Sequence, residues 1–197
     1  MNMGRCFPAP FSLIYTVGTA FRFGPILLNL DHFPNVHTFP KDFGGFQTGI
    51  TIKYMHGSYI TVLDYLSTTS MRELIFASFP NVKTMGTNGF LSCTALKYLI
   101  LGDLTNGMDN ATRIFESSNL AYIKFNFTST HAWMNNNYSW SGFANKSTKI
   151  YIPDELVDTI KATTFFSKYA SKIYPSSQWL SDCIANNWMY ELPSSIE

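Results

Sequence analysis

The sequence predicts an α/β solenoid in which each repeat lays down one short parallel strand and a helical cap closes the C-terminal end. Three observations carry that prediction. Paired apolar residues recur at Ile26/Leu28, Ile50/Ile52, Leu74/Phe76, Leu99/Leu101, Ile123/Phe125 and Ile150/Ile152, in steps of 24, 24, 25, 24 and 27 residues. Glycine and asparagine collect between the pairs, as in Gly86-Thr87-Asn88-Gly89 and Asn106-Gly107, where tight corners need residues that tolerate positive φ. Beyond Ile152 the apolar spacing becomes helical.

Composition narrows the classes of function. A chain of 197 residues with 46% apolar content can build one repeat array with a continuous core. Only 14% of residues are charged and the net charge is +1, so no basic field exists to hold nucleic acid or an anionic membrane. Cys6, Cys93 and Cys183 lie far apart without a C-x-x-C pair, against both a zinc site and a disulfide framework. Cys93, just before the strand region that begins at Thr94, reads as a buried packing residue.

In chain order, residues 1–25 read as a degenerate N-terminal repeat or cap with Leu13 to Val17 as a candidate strand. Their thin basic start lacks a small-residue cleavage site and is no convincing signal peptide, and no stretch reaches the roughly 20 apolar residues of a membrane span. Residues 26–152 form the array. Its strands follow L-x-x-L-x-L, clearest at Leu96-x-x-Leu99-x-Leu101 and Leu120-x-x-Ile123-x-Phe125. Period-two alternation turns one set of side chains inward and leaves Lys97, Tyr98 and Lys124 toward solvent or a partner. Phe43, Leu66, Phe90, Phe115 and Phe143 serve as anchors closing the core opposite the strands. Residues 153–197 are the cap and tail, helical from Pro153 to about Tyr190. Pro153 suits a first helical position, followed by Asp154 and Glu155 at the positive dipole end and a stripe of Leu156, Val157 and Ile160. Phe166, Tyr169, Ala170 and Ile173 trace a second helical face, and Leu180, Cys183, Ile184 and Trp188 a third.

Two stretches carry a family resemblance. The first is Val82-x-x-Met85-x-x-x-x-Phe90-x-x-Cys93-Thr94-x-Leu96-x-x-Leu99-x-Leu101; the second runs from Ile150-Tyr151-Ile152-Pro153-Asp154-Glu155-Leu156-Val157 through Lys161 and Ala162 to Tyr169-Ala170-Ser171-Lys172-Ile173. Together they resemble the BspA-like leucine-rich repeats of bacterial surface proteins, also found in some bacteriophage proteins. The resemblance covers roughly residues 26–175. It departs from the family pattern in its irregular repeats, in the loss of the usual Ile-Gly before most anchors, and in the tail after Pro175. What it implies is a leucine-rich-repeat array and a role in adhesion to host proteins or surfaces.

The candidate binding residues are Trp133, Asn136, Tyr138 and Trp140, with Tyr98 and Lys124 on the strand face. The first four fall in His131 to Trp140, inside the one 27-residue step. Aromatic faces beside amides suit a sugar or a protein hot spot. The competing reading packs these aromatics into the cap. Trp133→Ala and Trp140→Ala should weaken binding without unfolding on the first reading, and should cost folding on the second.

Catalytic and metal chemistry finds less support. His32, His37, His56 and His131 show no metal-ligand spacing. Asp31-His32 or Asp64 with a nearby serine could be drawn as a triad, but no G-x-S-x-G elbow is present and turns often carry Asp and Ser. Nucleotide-binding glycine motifs are absent. Asn110, Asn126, Asn137 and Asn145 head N-x-[ST] motifs.

The expectation is therefore a non-enzymatic module, without cofactor or metal, that binds a host or bacterial surface protein or glycan in the manner of a bacterial surface adhesin. It places the chain outside the cell, at the cell surface or in a virion. The alternatives are a structural or fibre component of a bacteriophage particle and, last, a hydrolase.

Overall fold

The computed structural model describes residues 25–39, 51–63, 71–86, 89–90, 93–108, 115, 118–140 and 147–193. The expectations placed on residues 1–24, on Ile50, on Asp64 and on the anchors Phe43, Leu66 and Phe143 lie outside the described residues.

The described residues form two parallel sheets. The larger has seven strands in sequence order, β1 (Pro25–Asn29), β3 (Thr51–His56), β5 (Phe76–Phe79), β7 (Tyr98–Leu101), β9 (Tyr122–Phe125), β10 (Lys149–Ile152) and β11 (Ile173–Pro175). The smaller has four two-residue strands, β2 (Thr38–Phe39), β4 (Val62–Leu63), β6 (Thr84–Met85) and β8 (Gly107–Met108). From β1 to β8 the chain alternates between the sheets, so each advance along it adds one strand to both. The second sheet was not foreseen from the sequence. Every neighbouring pair is parallel, short helices fill some connections, and neither sheet closes into a barrel.

The core lies between the sheets. On the large-sheet side, Leu28, Met55, Ala77, Leu99, Ile123, Ile150 and Ile173 align across successive strands. A second row aligns Phe79, Leu101 and Phe125. From the opposite side come Phe39, Leu63 and Met85, all fully buried, with Phe90 and Phe115 stacked at 6.1 Å. Burial of such side chains is worth about 1.5–3 kcal/mol each, and the ladder repeats that gain along its length.

The true register corrects the predicted one at its N-terminal half. The aligned row advances by 27, 22, 22, 24, 27 and 23 residues. Leu28 faces Met55 instead of Ile52, because the pairing shifts between Ile26 and Leu27. Ala77 and Phe79, in place of Leu74 and Phe76, face Leu99 and Leu101. All four residues of β5 are buried, so the alternation that identifies the inward face is erased there.

The 27-residue step from Ile123 to Ile150 holds a plug. Its 3₁₀ helix, Ala132–Asn135, packs beside β8, the last strand of the small sheet. Trp133 donates its indole N–H to the Leu104 carbonyl at 2.9 Å and lies over Gly107, whose φ of 90° and missing side chain admit the ring. An open parallel edge invites pairing with another chain, and this segment covers it.

The cap differs from an all-helical one. A 3₁₀ turn at Asp154–Leu156 leads into α1 (Val157–Lys161), and a further 3₁₀ segment spans Phe166–Lys172. Ile173, expected to end a helix, instead begins β11 and carries the large sheet one strand past residue 152. After a 3₁₀ turn at Ser176–Gln178 comes α2 (Trp179–Ala185). Asn187, at φ 52°, lets the Trp188 N–H close on the Cys183 carbonyl at 2.8 Å and reverses the chain.

Candidate functional site

Alternation within the large sheet gives it an outer face opposite the core. One outer row runs Tyr54, Phe76, Tyr98, Tyr122 and Lys149; the next runs His56, Ser78, Ile100, Lys124, Tyr151 and Tyr174. Neighbouring rings touch within and across the rows, tilted with centroids 5.5 Å apart for Tyr98 and Tyr122, edge to face at 6.1 Å for Tyr122 and Tyr151, and tilted at 6.0 Å for Tyr151 and Tyr174. Two lysines stand among five tyrosines. Such a face offers flat apolar contact together with positive charge.

The chain's own C-terminal segment lies on this face. Tyr122 is flanked by Trp179 at 5.9 Å and Trp188 at 6.0 Å, and its hydroxyl donates to the Met189 carbonyl at 2.7 Å. Lys124 Nζ sits 4.5 Å from the centre of the Trp179 ring. Asp182 accepts from Lys149 Nζ at 2.7 Å and from the Tyr151 hydroxyl. These charge-assisted bonds hold the Asp182 carboxyl below its ordinary range. Burial lowers the pKa of Lys124 and raises those of Tyr122 and Tyr151, the last also through its bond to Asp182. Cys183 is buried in the same outer cluster, its thiol pushed up to about 11, foremost by desolvation.

The six candidate residues do not form one surface. Trp140 is 2% exposed and belongs to the core, 5.1 Å from Phe115, 4.9 Å from Phe165 and stacked at 5.3 Å on Tyr169, whose hydroxyl accepts its backbone N–H. Trp133 is half-buried between Leu104, Phe165 and Phe166. Both rings help close the small sheet and the core, and Trp140 is too deeply buried to offer a contact surface. Asn136 and Tyr138 are exposed, and the Tyr138 carbonyl is held by Lys168 Nζ at 2.6 Å. Tyr98 and Lys124 do lie on the outer face, with Lys124 beneath the tail ring. The third helical stripe divides: Cys183 and Trp188 turn to the sheet, whereas Leu180 and Ile184 are 47% and 66% exposed. What sequence reasoning missed is the pairing of Trp179, Asp182 and Trp188 with Tyr122, Lys149 and Tyr151. The signal was present in the outward positions of the strands, read beside a tail rich in tryptophan.

The aspartates serve another purpose. Asp31 accepts from the Ser58 N–H at 2.6 Å and the Ser58 hydroxyl at 3.0 Å, and its Oδ2 lies 3.1 Å from His56 Nε2. Ser58 Oγ approaches that same Nε2 at 3.0 Å. A relay requires the acid and the hydroxyl on opposite ring nitrogens, so this group is not a catalytic triad. Asp103 repeats the arrangement with the Thr128 N–H, the Thr128 hydroxyl and His131 Nε2, at 2.8, 2.6 and 2.8 Å. Asp154 likewise accepts from the Ser177 N–H at 2.9 Å. In each case an aspartate two residues past one strand ties down the corner after the next. Desolvation pushes the Asp31 and Asp103 carboxyls up, but their hydrogen bonds and the neighbouring histidines outweigh it and the net shift is downward.

Among the described residues no group of three or more His, Cys, Asp or Glu side chains is placed to hold a metal ion. Nor is any helix among them long and apolar enough to cross a membrane. The chain matches no protein-family profile, no curated protein and no solved structure.

Proposed function

We propose that the chain is a leucine-rich-repeat solenoid that acts as a non-enzymatic binding module for a surface protein or glycan, outside the cell in the manner of a bacterial adhesin. The observation that carries this reading is the outer face of the large sheet, where tyrosines and lysines stand in register on a rigid parallel ladder. Successive strands sit roughly 4.8 Å apart, a spacing that lets adjacent rings meet one extended ligand together. The alternating sheets and the core between them support the solenoid. Binding on protein and glycan arrays tests the proposal. Wild-type chain should retain a ligand that Tyr54→Ala and Tyr98→Ala lose while circular dichroism is unchanged. Retention of the same ligand by both variants would remove the face from consideration.

A second reading, a structural component of a phage particle, draws support from Leu180 and Ile184, which α2 presents to the outside. On that reading the repeats are a spacer and the C-terminal helices mediate assembly. Light scattering separates the two: a stable trimer or ring that Ile184→Asp dissociates favours assembly, and a monomer with a captured ligand favours binding.

A further inference from the structure

We propose that the outer face over β7, β9 and β10 is a recognition surface for an aromatic, acid-bearing peptide, and that residues 176–190 occupy it as a displaceable pseudo-ligand. The inference rests on the binding-module reading and names the class of partner that this face would take.

The first ground is how the segment is held. It adds no strand to the sheet beyond β11, and its contacts are side-chain recognition of the kind made between separate molecules. Two indole rings bracket Tyr122, a lysine lies under Trp179, and a carboxylate three residues further on is shared by Lys149 and Tyr151. Trp179 and Asp182 thus spell the partner: an aromatic side chain with a carboxylate one helical turn later.

The second ground is separability. Tyr122, Tyr151 and Cys183, with Tyr98, Ile100, Tyr174, Trp179 and Trp188 around them, form a hydrophobic cluster distinct from the core between the sheets. The large core therefore keeps its contacts when the tail departs. α2 is only seven residues long, and an isolated helix of that length is unstable in water, so the tail holds its shape because the sheet is under it. Its outward residues Leu180, Ser181, Ile184, Ala185, Asn186 and Asn187 are exposed.

The chain carries its own reporters. Cys183 is buried on the sheet side of the tail and Cys93 in the main core. In a Cys6→Ser background at neutral pH without denaturant, a small thiol reagent should modify Cys183 at least tenfold faster than Cys93. A synthetic peptide of residues 176–193 carrying Cys183→Ser should quicken modification of Cys183 in the chain and leave Cys93 unchanged. The same peptide, fluorescently labelled, should bind a Trp179→Ala/Asp182→Asn chain at least tenfold more tightly than wild type, and Lys149→Glu in that background should abolish the gain. Reaction of both thiols together at one unfolding rate would make the tail part of a single core and overturn the proposal. So would peptide binding indifferent to Lys149→Glu, or tail exchange between copies, seen as dimers in light scattering. None of these results bears on whether another part of the sheet binds a ligand, which the array experiment reads separately.

Discussion

Asp103 shows how one side chain fastens two turns of the chain. Its carboxylate takes the N–H and hydroxyl of Thr128 and lies against His131, so Asp103→Ala leaves three polar groups without their partner. Hydrogen bonds to a charged group are worth about 1.5–3 kcal/mol when shielded; partial exposure here brings the expected loss to about 1–2 kcal/mol in urea denaturation at pH 7. The folded carboxyl lies below its ordinary value of 3.8. Its contribution is thus complete above that value and disappears as pH falls through the lowered one, so the stability gap between wild type and Asp103→Ala should close as the solution is taken to acid below it. Gly102 is a second such point. A β-carbon there would fall 2.4 Å from the Val82 carbonyl oxygen and 2.5 Å from the Val82 nitrogen, both backbone atoms. Gly102→Ala should cost at least the roughly 1–3 kcal/mol of an overpacked site, read as a lowered urea midpoint with an unchanged slope.

Among the elements, the plug at His131 to Trp140 decides between the two readings of its aromatics. Trp140→Ala removes a ring packed against Phe115, Phe125, Phe165, Phe166 and Tyr169, and should cost about 3–5 kcal/mol. Trp133→Ala should cost less but bare the edge of β8, so its signature is self-association in light scattering at concentrations where Asn136→Ala stays monodisperse. The unequal step already marked this segment in the sequence; its role was hidden because rings that bind and rings that plug are the same residues. Legibility elsewhere followed the clarity of alternation. Leu99, Ile123 and Ile150 were aligned correctly, because polar or half-exposed neighbours separate them from the outer row. Around Leu74 to Phe79 both faces are apolar, and the register slipped by three residues. The small sheet escaped notice because two-residue strands are too short to show any period.

At the scale of the whole molecule, two hydrophobic clusters divide the structure into a body and a strap, and they answer acid differently. Asp182 fastens the strap. It faces Lys149 and Tyr151 on β10, with Tyr174 on β11 next to Tyr151 and Cys183 beside it on α2. Because its folded pKa is lowered from the ordinary 3.8, the strap's ionic attachment is complete above that value and weakens as pH falls below it. Asp31, Asp103 and Asp154 are lowered as well, so acid loosens the corners of the body over a similar range. Amide hydrogen exchange followed peptide by peptide separates the two responses. Lys149→Met removes the cation that depresses the Asp182 carboxyl, so exchange across residues 176–190 should accelerate at a higher pH than in wild type, while exchange across β7 and β9 keeps its wild-type midpoint. Acceleration of strap and body together, in both proteins and at one pH, would show that the outer cluster has no equilibrium of its own. In that case the outer face over β7, β9 and β10 would be a permanent interface, and a ligand of this chain would have to meet another part of the molecule.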